Sequence, residues 1–230
     1  MIINVVNRCE DYNSYRASRV KSLFNPERGN EFILKDEIDI PDEWQIGLIV
    51  GPSGTGKTSI GKSFFDTNRI IDIYSGWEKD KPVIDCIAPK GDFNTVTGAL
   101  ANVGLGDVPS WLRPFHALSN GQQFRAGLAR VMVEAPDNSV VDEFTSVIDR
   151  QIAKIGALAF SKGWRRNKGK RIVLLSCHYD IIEWLQPDWV YDTGNKTFKK
   201  KTKSGNGQRL TWNFGRLTTH TGNCLSHIII

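Results

Sequence analysis

Ile46-Gly47-Leu48-Ile49-Val50-Gly51-Pro52-Ser53-Gly54-Thr55-Gly56-Lys57-Thr58-Ser59-Ile60-Gly61-Lys62-Ser63-Phe64-Phe65 is the stretch on which the fold turns. Its apolar start reads as a short buried strand, a glycine-rich turn follows, and Lys57 onward reads as a helix. Gly51 to Thr58 matches G-x-x-x-x-G-K-[ST] in the strand-to-helix setting that a phosphate-binding loop needs. Gly54 and Gly56 let the backbone turn N–H groups inward around β- and γ-phosphate oxygens. Lys57 brings a cation to the same oxygens, and the Thr58 hydroxyl is placed to coordinate Mg²⁺. The expected phosphate contacts are therefore Gly51, Pro52, Ser53, Gly54, Thr55, Gly56, Lys57, Thr58 and Ser59.

Downstream, Ser119-Asn120-Gly121-Gln122 is a capping box, and Phe124, Leu128, Val131, Met132 and Ala135 follow at helical spacing until Pro136 ends the helix. Val140-Val141 is a short strand closing on Asp142-Glu143. A carboxylate at the C-terminal end of such a strand faces the phosphates, with Asp142 as the metal ligand and Glu143 as the group that polarises the attacking water. A second helix is expected with Ile152, Ile155, Ala159 and Phe160 on one face. Ile172 to Cys177 reads as a buried strand ending at His178, and Trp189-Val190-Tyr191-Asp192 as a last strand. Residues 69–114 mix short apolar runs with Gly, Pro and Asp and read as strands and short helices. Strands alternating with helices predict an α/β fold with a mostly parallel core sheet.

Leu118-Ser119-Asn120-Gly121-Gln122 resembles the signature motif LSGGQ of ABC-type ATPases, and it precedes Asp142-Glu143 by the short interval of that family. Ser146-Val147-Ile148-Asp149 resembles its D-loop and His178 its switch histidine. The resemblance implies a P-loop cassette with antiparallel N-terminal strands and a helical signature segment. It further implies ATP and Mg²⁺ as bound groups, hydrolysis to ADP and phosphate, and catalytic roles for Lys57, Glu143 and His178. Ser119, Gly121 and Gln122 would meet the γ-phosphate held by a second subunit, so a head-to-tail homodimer is implied. Two segments, Asp142 to Arg150 and Cys177 to Asp192, look like a phage and bacterial subgroup whose members can carry an acetyltransferase-like region. Only about 38 residues follow Asp192, so acetyl transfer is not expected.

Two departures from the family pattern stand out. Asn120 replaces a signature glycine, and Asn tolerates unusual backbone angles, so function is expected to weaken rather than vanish. No glutamine lies between Ser59 and Leu118 to match the Q-loop, for which Asp92 is the candidate. Phe24 and Phe32 are both candidates for the aromatic that stacks on adenine.

Of 230 residues, 40% are hydrophobic, enough for one substantial core. Residues 1–195 are read as the ATPase domain and 196–230 as a basic tail, since the stretch from Lys196 holds seven Lys or Arg and no acidic residue. No apolar run has transmembrane length and no leader is evident, so a cytoplasmic protein is expected. Cys9, Cys86, Cys177 and Cys224 are scattered without metal-ligand spacing and are expected to be reduced thiols. Three uses compete. A soluble ATPase acting on nucleic acid or a phage or defence complex draws on the basic turn Arg165 to Arg171, with Trp164 beside it to stack on a base. The other two are a transporter subunit with a membrane permease partner and a non-hydrolysing interaction module.

Overall fold

The computed structural model describes residues 2–8, 10, 12–24, 31–65, 70–202 and 211–215. The elements run β1 (Ile2–Arg8), α1 (Tyr15–Phe24), β2 (Glu31–Glu37), β3 (Ile46–Val50), α2 (Lys57–Phe64), β4 (Ile70–Ile71), α3 (Val83–Cys86), α4 (Phe93–Asn102) and α5 (Val108–Trp111). They continue as α6 (Asn120–Glu134), β5 (Ser139–Val141), α7 (Arg150–Trp164), β6 (Ile172–Ser176), α8 (Ile181–Leu185), β7 (Trp189–Asp192), β8 (Thr197–Thr202) and β9 (Thr211–Gly215).

A seven-stranded sheet in the order β4-β5-β6-β3-β7-β8-β9 forms the centre, and β1 and β2 make a separate antiparallel pair. Strands β4, β5, β6, β3 and β7 are mutually parallel, and β8 and β9 add antiparallel. Every residue of β3 and β6 is buried, as continuous apolar strands covered on both faces must be. Alternation divides the work: Ile46, Leu48 and Val50 join the core made with α4, α6 and α7. Ile49 points the other way, into a cluster with Ile60 of α2 and Ile3, Val5 and Leu34 of the β1–β2 pair. The sheet is thus sandwiched, and its strand ends are left to build a site.

Local chemistry explains the helices beside it. Ser119 caps α6 through the full capping box, and Ala135, which precedes Pro136, leaves the helix with ψ 125°. Asp149 caps α7 by accepting from Gln151 N at 2.8 Å and Ile152 N at 3.4 Å. The expected face of α7 needs correction, because Ile155 is 55% exposed. The buried face is Ala153, Gly156, Ala157, Phe160 and Trp164. Small residues there let α7 sit close to α6, while the larger Ile155 and Leu158 turn outward. In the 69–114 stretch only Ile70–Ile71 is a strand within the described residues; Val83-Ile84 begins a helical turn, and α4 and α5 follow.

The stretch read as a basic tail begins as sheet. Thr197 to Lys200 pair with Asp192 to Trp189, Phe198 is buried with its ring 6.1 Å from Trp189, and Lys200 Nζ donates to Asp39 at 2.6 Å. Phe198 and Lys200 share one face of β8, the ring packed inward and the amine on Asp39, while Lys201 on the other face donates to Gln186 O. Beyond Thr202 only residues 211–215 of that stretch are described. Cys86 and Cys177 are free thiols, whereas Cys9 and Cys224 lie outside the described residues. Among the described residues no helix is long and apolar enough to cross a membrane.

Candidate nucleotide site

Strand β3 delivers the glycine-rich loop at its C-terminal end. Gly54 and Gly56 take φ of 80° and 83°, angles that a residue with a Cβ reaches only under strain. Gly56 is the N-cap of α2 and supplies no side-chain cap, so the first N–H groups of α2 are left to an anion. Lys57 Nζ donates to the carbonyls of Gly51 and Pro52, each at 2.8 Å, and so folds across the mouth of the loop. The turn after β7 braces the loop from behind. Thr193 N donates to Val50 O at 2.8 Å, and the Thr193 hydroxyl meets Thr55 Oγ1 and lies 3.1 Å from Val50 O. Tyr179 donates to Asp192 Oδ1 at 2.9 Å beside that turn. Burial and this hydrogen bond push the Tyr179 phenol up to about 12.

Because β3, β5 and β6 are parallel neighbours, the segments carrying Lys57, Asp142-Glu143 and His178 all leave the C-terminal end of the sheet. Asp142 follows β5 and is half-buried; one of its carboxylate oxygens accepts from Glu143 N at 2.8 Å, leaving the other available. Glu143 is exposed, with φ 53°. His178, half-buried, has its backbone N–H bonded to Ser176 Oγ at 3.1 Å. Burial first, then the charge of Arg150, hold its imidazole below the usual histidine range, against the pull of Asp180 and Glu143. Arg150 forks onto Asp180 and holds that carboxyl below its usual range despite burial.

Ser119, Gly121 and Gln122 gather at the start of α6. Gln122 Oε1 accepts from Ser119 N at 3.0 Å, while its Nε2 donates to Ser110 Oγ at 2.7 Å. Ser110 is fully buried and donates in turn to Asp107. Gly121 lies against α7, where a Cβ would stand 2.9 Å from Ile152 Cδ1. The bonds that hold Ser119 and Gln122 run within the helical layer, and Ser119 and Asn120 are exposed.

Several expectations change. Asp92 is the N-cap of α4, accepting from Thr95 N at 2.9 Å, so its carboxylate is spent on a helix end. The position beside Asp142 belongs to Asp72, which follows β4, since Ile71 pairs with Val141 and Ile71 O accepts from Asp142 N at 3.1 Å. Trp164 cannot stack on a base: it is fully buried, with its ring 5.7 Å from Phe160. The basic turn is also largely occupied. Arg165 pairs with Asp188 at 3.0 Å, Lys170 caps the Ala135 carbonyl at 3.0 Å, and the Arg171 guanidinium lies 3.9 Å from Asp137. Phe24 is 75% exposed at the end of α1, and the Phe32 side chain lies outside the described residues. Sequence reasoning missed Arg150, Asp180, Ser110 and Thr193. For the first two a signal existed, as each is a charged residue within two positions of a motif.

The phosphate loop, the acidic pair and the histidine thus follow the ends of adjacent parallel strands, with the capped helix α6 among them. No protein-family model matches the chain. It is 34% identical over 88 residues to the nickel import ATP-binding protein NikO of Rhodobacter capsulatus, a match covering 38% of this chain and 34% of that one. To the zinc import ATP-binding protein ZnuC of Jannaschia sp. it is 27% identical over 174 residues, covering 67% of this chain and 70% of that one. The chain thus spans about a third of the length of NikO. Among solved structures, the dimeric bacterial ABC transporter cassette MJ0796 superimposes with a TM-score of 0.55 at 14% identity, over 84% of this chain and 94% of that one. Its post-hydrolysis state bound to ADP and Pi superimposes equally well. The fold is that of an ABC ATPase cassette.

Proposed function

We propose that the chain binds MgATP at Gly51–Ser59 and hydrolyses it to ADP and phosphate in a head-to-tail pair of copies. The observation that carries this reading is that Lys57, Glu143 and His178 follow the C-terminal ends of three adjacent parallel strands, beside an α2 N-terminus with no side-chain cap. The residues present suit Mg²⁺: an exposed Thr58 hydroxyl and a free oxygen of Asp142 make a sparse ligand set, as Mg²⁺ prefers when phosphates and water complete its shell. Bound there, the ion would neutralise charge on the phosphates. Lys57 swings from the loop carbonyls to the phosphate oxygens, and the α2 N–H groups hold them. Glu143 takes a proton from the attacking water as its oxygen bonds to the γ-phosphorus and the bond to the ADP oxygen breaks. His178, kept neutral by its surroundings, donates a hydrogen bond to the departing γ-phosphate. The exposed Ser119 cap of a second copy supplies further donors.

As to what the cycle drives, the import roles of NikO and ZnuC favour a cytoplasmic cassette working on a membrane permease. The nucleic-acid alternative loses much of its support with Trp164 buried and Arg165 and Lys170 engaged. The test compares phosphate release by wild type and Glu143→Gln, alongside their sedimentation with ATP. Loss of a positioned base lowers turnover by about 10²–10⁴-fold and traps an ATP-bound dimer. Wild-type release no higher than the variant's would sink the hydrolase reading.

A further inference from the structure

Arg150 occupies the first position of α7, directly after Asp149. Its Nε donates to Asp180 Oδ2 at 2.9 Å and its Nη2 to Asp180 Oδ1. Its Nη1 donates to the Thr145 carbonyl at 3.3 Å, and the guanidinium lies over the Trp184 ring, 5.2 Å from the centroid. One planar side chain therefore ties the loop after β5 to the loop after β6 and to helix α8, all leaving the C-terminal ends of the parallel strands. Each tie lands two residues from a group placed in the chemistry above, since Thr145 follows Glu143 and Asp180 follows His178.

The loop held in this way is strained. Glu143 and the β-branched Thr145 have φ of 53° and 67°, conformations that persist only where surroundings impose them. The Thr145 carbonyl bond is one such restraint, and the turn bond from Ser146 N to Glu143 O at 3.1 Å is another. The Arg150 and Asp180 side chains are 34% and 44% exposed, so the ion pair is screened and adds little to global stability. A two-pronged fork fixes direction as well as distance, which a lysine does not.

We propose that Arg150 is a positioning residue for hydrolysis, its fork on Asp180 and Thr145 setting Glu143 and His178 in register for one γ-phosphate. This rests on the hydrolase reading above. It also assigns a job to the residue that follows the D-loop aspartate: any shift of α7 moves the base and the histidine together.

The test uses the full chain with Arg150→Ala, Arg150→Lys, the near-isosteric Asp180→Asn, and the Arg150→Ala/Asp180→Asn double variant. Misplacement on the ångström scale costs up to about 10²-fold, so kcat in Arg150→Ala should fall about 10- to 100-fold with KM for ATP within about twofold. The double variant should fall no further than Arg150→Ala, as expected for groups acting as a unit. Arg150→Lys should recover only part of the loss, and melting midpoints should stay together. The His178 ring resonances in the NMR spectrum should move in both Arg150→Ala and Asp180→Asn. Single variants with kcat within about twofold of wild type, or losses that multiply in the double variant, would overturn the proposal. Losses that track the melting midpoint would do the same. If the wild type releases no phosphate, the hydrolase reading fails by itself; the fork is then judged by the His178 resonances, and their standing still in both single variants overturns it.

Discussion

Replacing Gln122 with Ala removes two hydrogen bonds at once. The capping-box bond from Ser119 N at 3.0 Å disappears, as does the bond to the Ser110 hydroxyl at 2.7 Å. Ser119 N is near solvent and can be rehydrated, so its loss costs about 1 kcal/mol, the net worth of an ordinary hydrogen bond. Ser110 is fully buried but still donates to Asp107. Its hydroxyl therefore loses an incoming donor without being orphaned, again about 1 kcal/mol. Alanine returns a few tenths through better helix propensity, leaving roughly 1.5–2 kcal/mol. For a chain of this size that is a fall in melting midpoint of roughly 3–8 °C, read by circular dichroism without nucleotide. Gln122→Glu separates the arms: it keeps the acceptor for Ser119 N, loses the donor to Ser110, and places a negative charge favourably at a helix N-terminus. It should melt between wild type and Ala. If Gln122→Ala melts within about 1 °C of wild type, the signature cap is not anchored through Ser110 as described.

Two further outcomes are expected. Copies carrying Lys57→Ala, mixed with copies carrying Ser119→Arg, should regain phosphate release, because a head-to-tail heterodimer keeps one site with both halves intact; no recovery above either parent would argue against shared sites. His178 should titrate below the usual value of 6.5, first because it is buried and then because Arg150 is close. Just below pH 6.5 the folded chain then binds fewer protons than the unfolded one. This contribution to stability is complete above that pH and is lost as pH falls through the folded value. An NMR titration checks it, and a midpoint at or above 6.5 contradicts the burial described here.

The strand-loop-helix at residues 46–65 was legible because three independent signals coincide there: an apolar run, glycines that need positive φ, and a helical restart. Ser119 to Gln122 was equally plain, since a capping box is a local device. The face of α7 was not. Periodicity counts large apolar residues, whereas this helix is packed through Ala153, Gly156 and Ala157, so the pattern pointed at Ile155 and missed the real contact. Trp164 misled for a related reason, as neighbouring arginines suggested exposure while the ring filled a gap beside Phe160. Strand β8 was hidden by its lysines, whose partners Asp39 and Gln186 are remote in sequence. The Arg150 fork was likewise invisible, because its carboxylate lies 30 positions away.

The brace behind the phosphate loop has a consequence for the order in which the protein comes into being. Thr55 leans on Thr193, 138 positions later, and Val50 accepts from the same residue across 143 positions. Strand β3 itself lies between β6 and β7, both of which are made long after it. Such distant pairings close late, because each spans a long loop. The motif that looks most local in the chain is therefore completed only once strands more than a hundred positions downstream have been made. A nascent chain still emerging from the ribosome carries the glycines and the lysine but lacks their support, which arrives only with β6, β7 and the turn after it.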